Sequence, residues 1–283
     1  MRRPSVLLFF GLIIITSASA GAQQETRRPG FFVVYGPAHT IRDERVALQN
    51  ENGTLTEGPR VLLMTLTFNE DGTRQESTVY QPTGEINHRR IDLYEPDGRI
   101  TETSVFGAND TLQGRSVTLY DDQKQRSEIV MYRADGSIVH RTTFHRTGNN
   151  MESETVGYDA KGLIIDQTKG TLDLRTRQSQ VISVNAGGTI QTQQGITDNP
   201  DGSQEFRADR SNGEFQREVS GPARNGTSDR VIYNRDGTVR STERLISEFD
   251  SHHNLIKTTH LTAKGDSTDF EPVDITYRTI TYY

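Results

Sequence analysis

The stretch that decides the fold reads IDLYEPDGRI over residues 91–100 and returns as IVMYRADGSI over residues 129–138. In both, an alternating strand ends in Tyr, a turn follows and a second strand begins. An aromatic residue holds this place, 12 or 14 residues apart, at Phe68, Tyr80, Tyr94, Phe106, Tyr120, Tyr132, Phe144 and Tyr158. A strand of roughly five to seven residues plus a turn fills such a spacing, whereas a helical hairpin repeat needs about 30 residues or more. The spacing therefore predicts a β-hairpin array over residues 66–162.

The turns between these strands have a specific chemistry. In Glu95-Pro96-Asp97-Gly98, proline presets the first corner, and glycine accepts the left-handed conformation that closes a type I turn with a bulge. Glycine closes further turns at residues 69–72, 81–84, 133–136, 159–162 and 234–237. Such turns, repeated at a fixed offset from an aromatic residue, indicate hairpins.

The predicted fold class is all-β, an antiparallel meander of hairpin repeats forming a long twisted or curled sheet. Only 32% of the residues are hydrophobic, which is below the usual share for a compact globular domain. A thin repetitive sheet suits that composition, because each unit needs to contact only its neighbours. The sequence leaves open whether the sheet stays open, closes into a barrel or spirals, although closure would remove its exposed edges.

Side-chain alternation then assigns the faces of this sheet. Because successive strand residues point to opposite sides, aliphatic residues such as Ile91 and Leu93 are expected on one face and the tyrosines on the other. The residues expected to bind a ligand, if binding uses the aromatic face, are Tyr80, Tyr94, Tyr120 and Tyr132. The alternative is a ladder of cross-strand aromatic contacts that fixes the register.

Several units also resemble a known repeat family. Tyr120-Asp121, the stretch YDAKGLI at residues 158–164 and the stretch FDSHHNLIK at residues 249–257 look like the Tyr-Asp dipeptide and Gly/Asn turn of YD-repeat (Rhs-type) exported bacterial proteins. The similarity covers residues 66–162 and, more loosely, residues 231–277. It implies a β-rich exported repeat sheet. Large members of that family form a hollow β shell around a toxin and others are linked to carbohydrate binding, but the resemblance assigns neither activity to named residues.

Composition divides the chain into three parts. Residues 1–22 are predicted to be a signal peptide, with two arginines before the apolar residues 6–16 and small residues for cleavage after Ala20 or Ala22. Residues 23–60 are predicted to cap the first edge of the sheet. Residues 61–283 form the predicted β-hairpin repeat domain, in which residues 163–230 are less regular and carry polar strands.

Charge and cysteine content limit the partners and the cellular compartment that the sequence is compatible with. Without Arg2 and Arg3, 30 Lys and Arg stand against 38 Asp and Glu, a net charge of −8. No nucleic-acid partner is expected, since nucleic-acid binders carry a basic excess. The absence of cysteine excludes disulfides and thiol-linked lipid anchoring. The expected route is general secretory export to the periplasm or the extracellular space, with no membrane insertion after the signal is removed.

No motif in the sequence specifies a reaction. The histidines at 140, 145, 252, 253 and 260 lack metal-ligand spacing, so no metal and no cofactor is expected. No residue is assigned a catalytic role, because no nucleophile motif or phosphate loop occurs. The sequence favours an exported non-catalytic β-repeat protein that binds a glycan or an envelope protein or serves a structural role. The alternatives are a secreted carboxylate-dependent hydrolase and a shell or partner of an exported toxin.

Overall fold

The computed structural model describes residues 34–51 and 54–283. The predicted signal peptide, residues 1–22, and the beginning of the predicted cap, residues 23–33, lie outside the described residues. The described chain folds into the strands β1 (Ala38–Glu51), β2 (Thr54–Phe68), β3 (Arg74–Tyr80), β4 (Ile86–Tyr94), β5 (Ile100–Gly107), β6 (Leu112–Asp121), β7 (Arg126–Arg133), β8 (Ile138–Thr147), β9 (Asn150–Tyr158), β10 (Ile164–Asp173), β11 (Gln178–Asn185), β12 (Ile190–Asp198), β13 (Gln204–Arg210), β14 (Phe215–Ser220), β15 (Thr227–Tyr233), β16 (Val239–Phe249), β17 (Leu255–Lys264) and β18 (Glu271–Tyr282).

The sheet closes on itself. Each strand pairs antiparallel with the next along the chain, from β1–β2 through β17–β18. β18 then pairs antiparallel with β1, in a register that runs from Ala38 opposite Tyr282 to Ala47 opposite Asp274. The 18 strands therefore form a closed barrel, and the prediction of a long twisted or curled sheet is wrong. Closure pairs the two edges that an open sheet would leave with unsatisfied backbone groups.

Part of the segment that the sequence assigns to the cap forms strands of the barrel. Residues 38–51 form β1, and residues 54–60 form the beginning of β2. β1 pairs with β2 on one side and with β18 on the other, so it is part of the barrel wall. Residues 163–230, predicted to be less regular, contain the paired strands from β10 to most of β15.

The hairpin turns follow the predicted chemistry. In the turn between β4 and β5, Gly98 has a φ of 86° and its amide donates to the Glu95 carbonyl at 2.8 Å. The Glu95 amide donates to the Arg99 carbonyl at 2.8 Å, and the Asp97 carboxylate accepts from the Arg99 amide at 3.0 Å. The ladder shifts by one residue at Tyr94, which pairs with Ile100. This is the bulged turn that the sequence indicates.

Antiparallel order places the turns at two opposite ends of the barrel. The turns after the even-numbered strands, together with the described chain ends near Val34 and Tyr283, form what we call the first rim. The turns after the odd-numbered strands form the second rim. A hydrophobic cluster of buried residues lies at the first rim and consists of Val34, Ala38, Ile41, Leu66 and Phe68.

The wall of the barrel is one sheet thick. Within the described residues, each strand lies beside only its two ladder neighbours. We name the two sides of the wall by the residues that they carry, the threonine face with Leu66, Thr142 and Thr155, and the arginine face with Arg89, Arg115 and Arg141. One face lines the interior and the other forms the outer wall. A wall without a second layer explains the low hydrophobic content of the chain.

Residues 34–51 and 54–283 include no helix of the length and apolarity needed to cross a bilayer.

Candidate functional site

The four tyrosines predicted to bind a ligand do not share a face. Tyr94 and Tyr120 lie on the threonine face near the first rim, and Tyr80 and Tyr132 lie on the arginine face near the second rim. The same is true of the aliphatic residues, because Ile91 and Leu93 lie on the arginine face. The expectation of one tyrosine face opposite one aliphatic face is therefore wrong. The face changes from each aromatic landmark to the next, both in hairpins with a register shift, as from Tyr94 to Phe106, and in hairpins without one, as from Tyr120 to Tyr132.

The surroundings of three tyrosines limit what their rings can contact. Tyr94 is buried, its hydroxyl donates to the Gln75 side chain at 3.4 Å, and burial raises the pKa of Tyr94. Tyr120 donates to the Ile100 carbonyl at 3.0 Å and has the guanidinium of Arg99 4.6 Å from its ring centroid. Tyr132 has the guanidinium of Arg115 at 5.5 Å. That these tyrosines bind a ligand stays a prediction, but they form no continuous stripe.

The arginine face carries a repeated group of three side chains that the sequence analysis did not find. Arg89 lies between Glu76, at 3.2 Å, and the ring of Phe106, at 4.8 Å. The same group recurs 26 residues later, where Arg115 lies 4.0 Å from Glu102 and faces Tyr132. In β13–β15, Arg217 contacts Glu205 at 2.9 Å and Tyr233 at 4.4 Å. Each group ties three adjacent strands together by a diagonal ion pair and a cation–π contact.

A simple sequence signal could have revealed these groups. Glu and Arg alternate at intervals of 13 residues, at Glu76, Arg89, Glu102, Arg115, Glu128, Arg141 and Glu154. One repeat of two strands spans two such intervals, so opposite charges meet within each hairpin. The aromatic landmarks mark the ends of the strands, whereas the charged residues lie along the length of the strands.

The candidate site is a trough of about 780 Å³ on the wall formed by β9–β13. A row of residues in register on the arginine face crosses it, namely Glu152, Thr171, Gln180, Gly195 and Arg207. Gly195 leaves a gap in the middle of this row. A Cβ atom at Gly195 would lie 2.9 Å from the Ser179 carbonyl oxygen, closer than Cβ atoms normally approach, so the backbone itself excludes a side chain there. The gap is therefore built into the wall.

The side chains around this gap are polar and have unused hydrogen-bonding capacity. Among the described residues, the amides of Gln180 and Gln193 and the carboxylate of Glu152 make no hydrogen bond or ion pair. An amide offers both donors and acceptors, and a carboxylate accepts up to about four hydrogen bonds. Such groups can bind a polar molecule without first breaking contacts within the protein.

A smaller concavity of about 270 Å³ continues the trough toward β15 and shares Glu205, Arg207 and Asp209 with it. The ring of Phe215 lies there between two guanidinium groups, of Arg207 at 5.6 Å and of Arg235 at 5.3 Å. The two concavities together extend across β9–β15 and reach the second rim near Gly237.

The carboxylates with shifted pKa values in the described residues are all shifted downward. The Arg217 guanidinium holds the pKa of Glu205 below its usual value, and Arg244 does the same for Asp229. Five turn carboxylates have their pKa values lowered by hydrogen bonds, mainly from the amide or side chain of the turn, at Asp121, Asp135, Asp173, Asp201 and Asp236. These contacts favour the ionised form.

These shifts predict acid sensitivity. Because the folded pKa values of Glu205 and Asp229 lie below the unfolded ones, their stabilising contribution is fully present at neutral pH and is lost as the pH falls below about 5 toward the folded values. As the pH falls over this range, we expect the free energy of unfolding of E205Q/D229N to decrease less than that of wild type. At pH 7 the free energy of unfolding of the variant should be lower than that of wild type by under about 2 kcal/mol. Urea unfolding between pH 7 and pH 3 measures this. Parallel curves for the two proteins would contradict the prediction.

The histidine clusters remain apart from the trough. His260 lies on the threonine face between Glu243, at 3.8 Å, and Asp274, at 3.7 Å. His140 is half-buried, and burial lowers the pKa of its imidazole. Residues 34–51 and 54–283 contain no group of three or more His, Cys, Asp or Glu side chains arranged to hold a metal ion.

No model of a known protein family matches the sequence, and no curated protein matches it significantly. Among solved structures, a porin-like protein from Bacteroides uniformis ATCC 8492 is similar over 86% of this chain and 96% of its own, at 8% identity and a TM-score of 0.42. A protein with unknown function from Bacteroides fragilis NCTC 9343 is similar over 40% of this chain and 82% of its own, at 13% identity and a TM-score of 0.25. The structure of TcdB2-TccC3 is similar over 77% of this chain and 17% of its own, at 11% identity and a TM-score of 0.20. All three TM-scores are below 0.5, so these likenesses carry no functional argument.

Proposed function

We propose that this chain is an exported, non-catalytic β-barrel that binds an oligosaccharide in the trough centred on Gly195. The observation that carries the proposal is the ring of unpaired hydrogen-bonding side chains, Gln180, Gln193 and Glu152, around a gap that the backbone keeps free of side chains.

The chemistry of the trough matches a ligand that is polar along its whole length. Its volume, about 780 Å³, is in the range of small-molecule sites, but those sites are mostly apolar with few polar groups. Here the row across the gap presents amide, hydroxyl, carboxylate and guanidinium groups. Sugar hydroxyls both donate and accept, so they pair with amides and carboxylates alike. The continuation past Arg207 and Phe215 gives space for more than one sugar unit.

The charge distribution supports a wall that stands in water. A barrel in lipid needs an outward apolar band about 25 Å tall. The arginine face carries Arg115 and Arg141, and the threonine face carries the ion pairs of Arg230 with Glu218, at 3.2 Å, and with Glu243. Whichever face is outward therefore presents charges. An aqueous location, in the periplasm or outside the cell, fits both faces.

The pKa values favour binding over hydrolysis. A glycoside hydrolase needs one carboxylic acid whose pKa is raised so that it holds a proton. Of the carboxylates around the trough, Glu205 has a pKa lowered by Arg217, and Asp173 has a pKa lowered by backbone hydrogen bonds. Both are suited to accept hydrogen bonds from a ligand.

The test is binding of the purified mature chain, residues 23–283, to a glycan array, followed by titration calorimetry with the best free oligosaccharide. We expect Q180A/Q193A to weaken binding at least tenfold, because each lost hydrogen bond contributes about 1 kcal/mol. The matched control is Q113A, which removes an exposed amide on β6 outside the trough. The proposal fails if no glycan binds, or if the double variant binds as tightly as the control.

A further inference from the structure

The turn between β9 and β10 carries a run of exposed aliphatic side chains at the second rim. Leu163, Ile164 and Ile165 are 63%, 47% and 46% exposed. Ile190, at the beginning of β12 on the same rim, is 53% exposed. The Ala186 amide donates to the Ile165 carbonyl at 2.9 Å, so the β9–β10 and β11–β12 turns are adjacent. Together these four side chains form what we call the aliphatic tip.

A run of three consecutive exposed aliphatic residues requires an explanation. Single exposed aliphatic residues are normal on a protein surface, and Leu119, at 59% exposure on β6, is an example. Three consecutive exposed ones are unfavourable in water unless something covers them. The turn itself does not require them, because in the equivalent turn between β15 and β16 Thr238 stands where Leu163 stands here.

The aliphatic tip contains a β-bulge. Ile164 pairs with Tyr158, and the register shifts between Ile164 and Asp166, so Ile165 is the extra residue of the bulge. Both isoleucine side chains are about half exposed.

The polar groups at the tip match the interfacial region of a bilayer. The Lys161 ammonium, two residues before Leu163, has no ion pair within residues 34–51 and 54–283. The Asp159 carboxylate is occupied by the amides of Lys161, at 2.8 Å, and Leu163, at 2.9 Å. Tyr158 pairs with Ile164 across the turn. Lysine and tyrosine beside exposed aliphatic residues are typical of membrane-interface anchors.

We infer that the aliphatic tip docks this barrel peripherally on a lipid bilayer through its second rim. Leu163, Ile164, Ile165 and Ile190 enter the headgroup region, and Lys161 contacts lipid phosphates. The wall remains in water. On β9 and β10 the trough is lined by residues 150–152 and 171–173, which lie at the opposite end of these strands from the aliphatic tip.

The experiment is cosedimentation of the mature chain with sucrose-loaded vesicles of phosphatidylcholine, alone or with phosphatidylglycerol. We expect L163Q/I164Q to lower the partition coefficient at least tenfold on both vesicle types. K161Q should lower it only on the phosphatidylglycerol vesicles, because that variant removes a charge alone. The control L119Q, which replaces an exposed leucine in the wall, should bind as wild type. The urea midpoint of each variant checks that it is folded.

Three results would overturn the inference. Wild-type protein that does not sediment with either vesicle has no lipid-binding tip. Vesicle binding that L163Q/I164Q leaves intact would place the lipid contact elsewhere on the barrel. A chain that self-associates through this tip without binding vesicles would also overturn it, and analytical ultracentrifugation of the same variants detects that case.

Discussion

Replacing Arg278 with alanine should lower the free energy of unfolding by about 3–5 kcal/mol, because it leaves the carboxylate of Asp43 buried without its partner. Arg278 on β18 donates two hydrogen bonds of 2.8 Å to Asp43 on β1, and both side chains are only 9% exposed. The pair joins the two strands that close the barrel. Urea unfolding followed by far-UV circular dichroism measures the loss.

The chain offers a matched control. Arg244 donates two hydrogen bonds of the same length to Asp229, but these side chains are 36% and 39% exposed. R244A should cost under about 1 kcal/mol, since water replaces the lost contact. D43L/R278M, which removes both charges, should recover most of the stability that R278A loses. Equal losses of the free energy of unfolding in R278A and R244A would show that the strength of the Asp43–Arg278 pair does not come from its burial between β1 and β18.

Replacing Asn254 with alanine should cost about 2–3 kcal/mol, the second largest effect that we expect. Asn254 is fully buried in the turn between β16 and β17. Its side chain accepts from the Tyr35 amide at 2.6 Å, and donates to the Tyr35 carbonyl at 3.1 Å and to the Tyr282 hydroxyl at 2.8 Å. Alanine would remove the partner of these three groups, which lie in a partly buried place around the fully buried Asn254 side chain. Urea unfolding again measures the change.

Thr238 provides the comparison for Asn254. It occupies the same position in the turn between β15 and β16, but it is exposed and bonds only to Asp236 and Asn234 within its own turn. T238A should cost under about 1 kcal/mol. A similar loss in both variants would mean that Asn254 acts on its own turn alone and does not tie the chain ends to it.

Both large effects concern contacts between residues more than 200 positions apart in the sequence, whereas most of the wall is made from neighbouring hairpins. A wall of one layer buries little apolar surface, so little else compensates for the loss of contacts between β1 and β18. The local groups of Glu, Arg and aromatic side chains stabilise three strands each, but none of them joins β18 to β1. Closure therefore rests on a few buried polar contacts and on the ladder between the two strands.

The sequence predicted the hairpins well, because their causes are local. Glycine at a positive φ, the preceding Asp and the aromatic residue before the turn all act within about six residues, and the structure shows these turns with the expected hydrogen bonds. The sequence also showed that residues 191–194 are polar. It did not show that this stretch lines a trough, because the trough forms only when Gln193, Thr171 and Glu205 are brought side by side from different strands.

The side of the wall on which each side chain lies could not be predicted from the alternation of residues in the sequence. Thr101 is an extra residue opposite the step from Leu93 to Tyr94, so the phase after the turn is reversed. Tyr94 and Tyr132 lie on opposite sides of the wall, although both end their strands in the same way. A bulge is encoded by a local turn, but its effect on the faces appears only when the register of the paired strand is known.

By itself, the sequence determined an all-β array of bulged hairpins, because turn conformations and strand alternation depend on neighbouring residues. The tertiary structure alone decided the closure of that array and the place of the trough. Closure pairs Ile41 with Ile280 across nearly the whole chain, and no local pattern states which strand will meet the first one. The free energy of that meeting comes from edge pairing and from a buried ion pair that exists only once the barrel is closed.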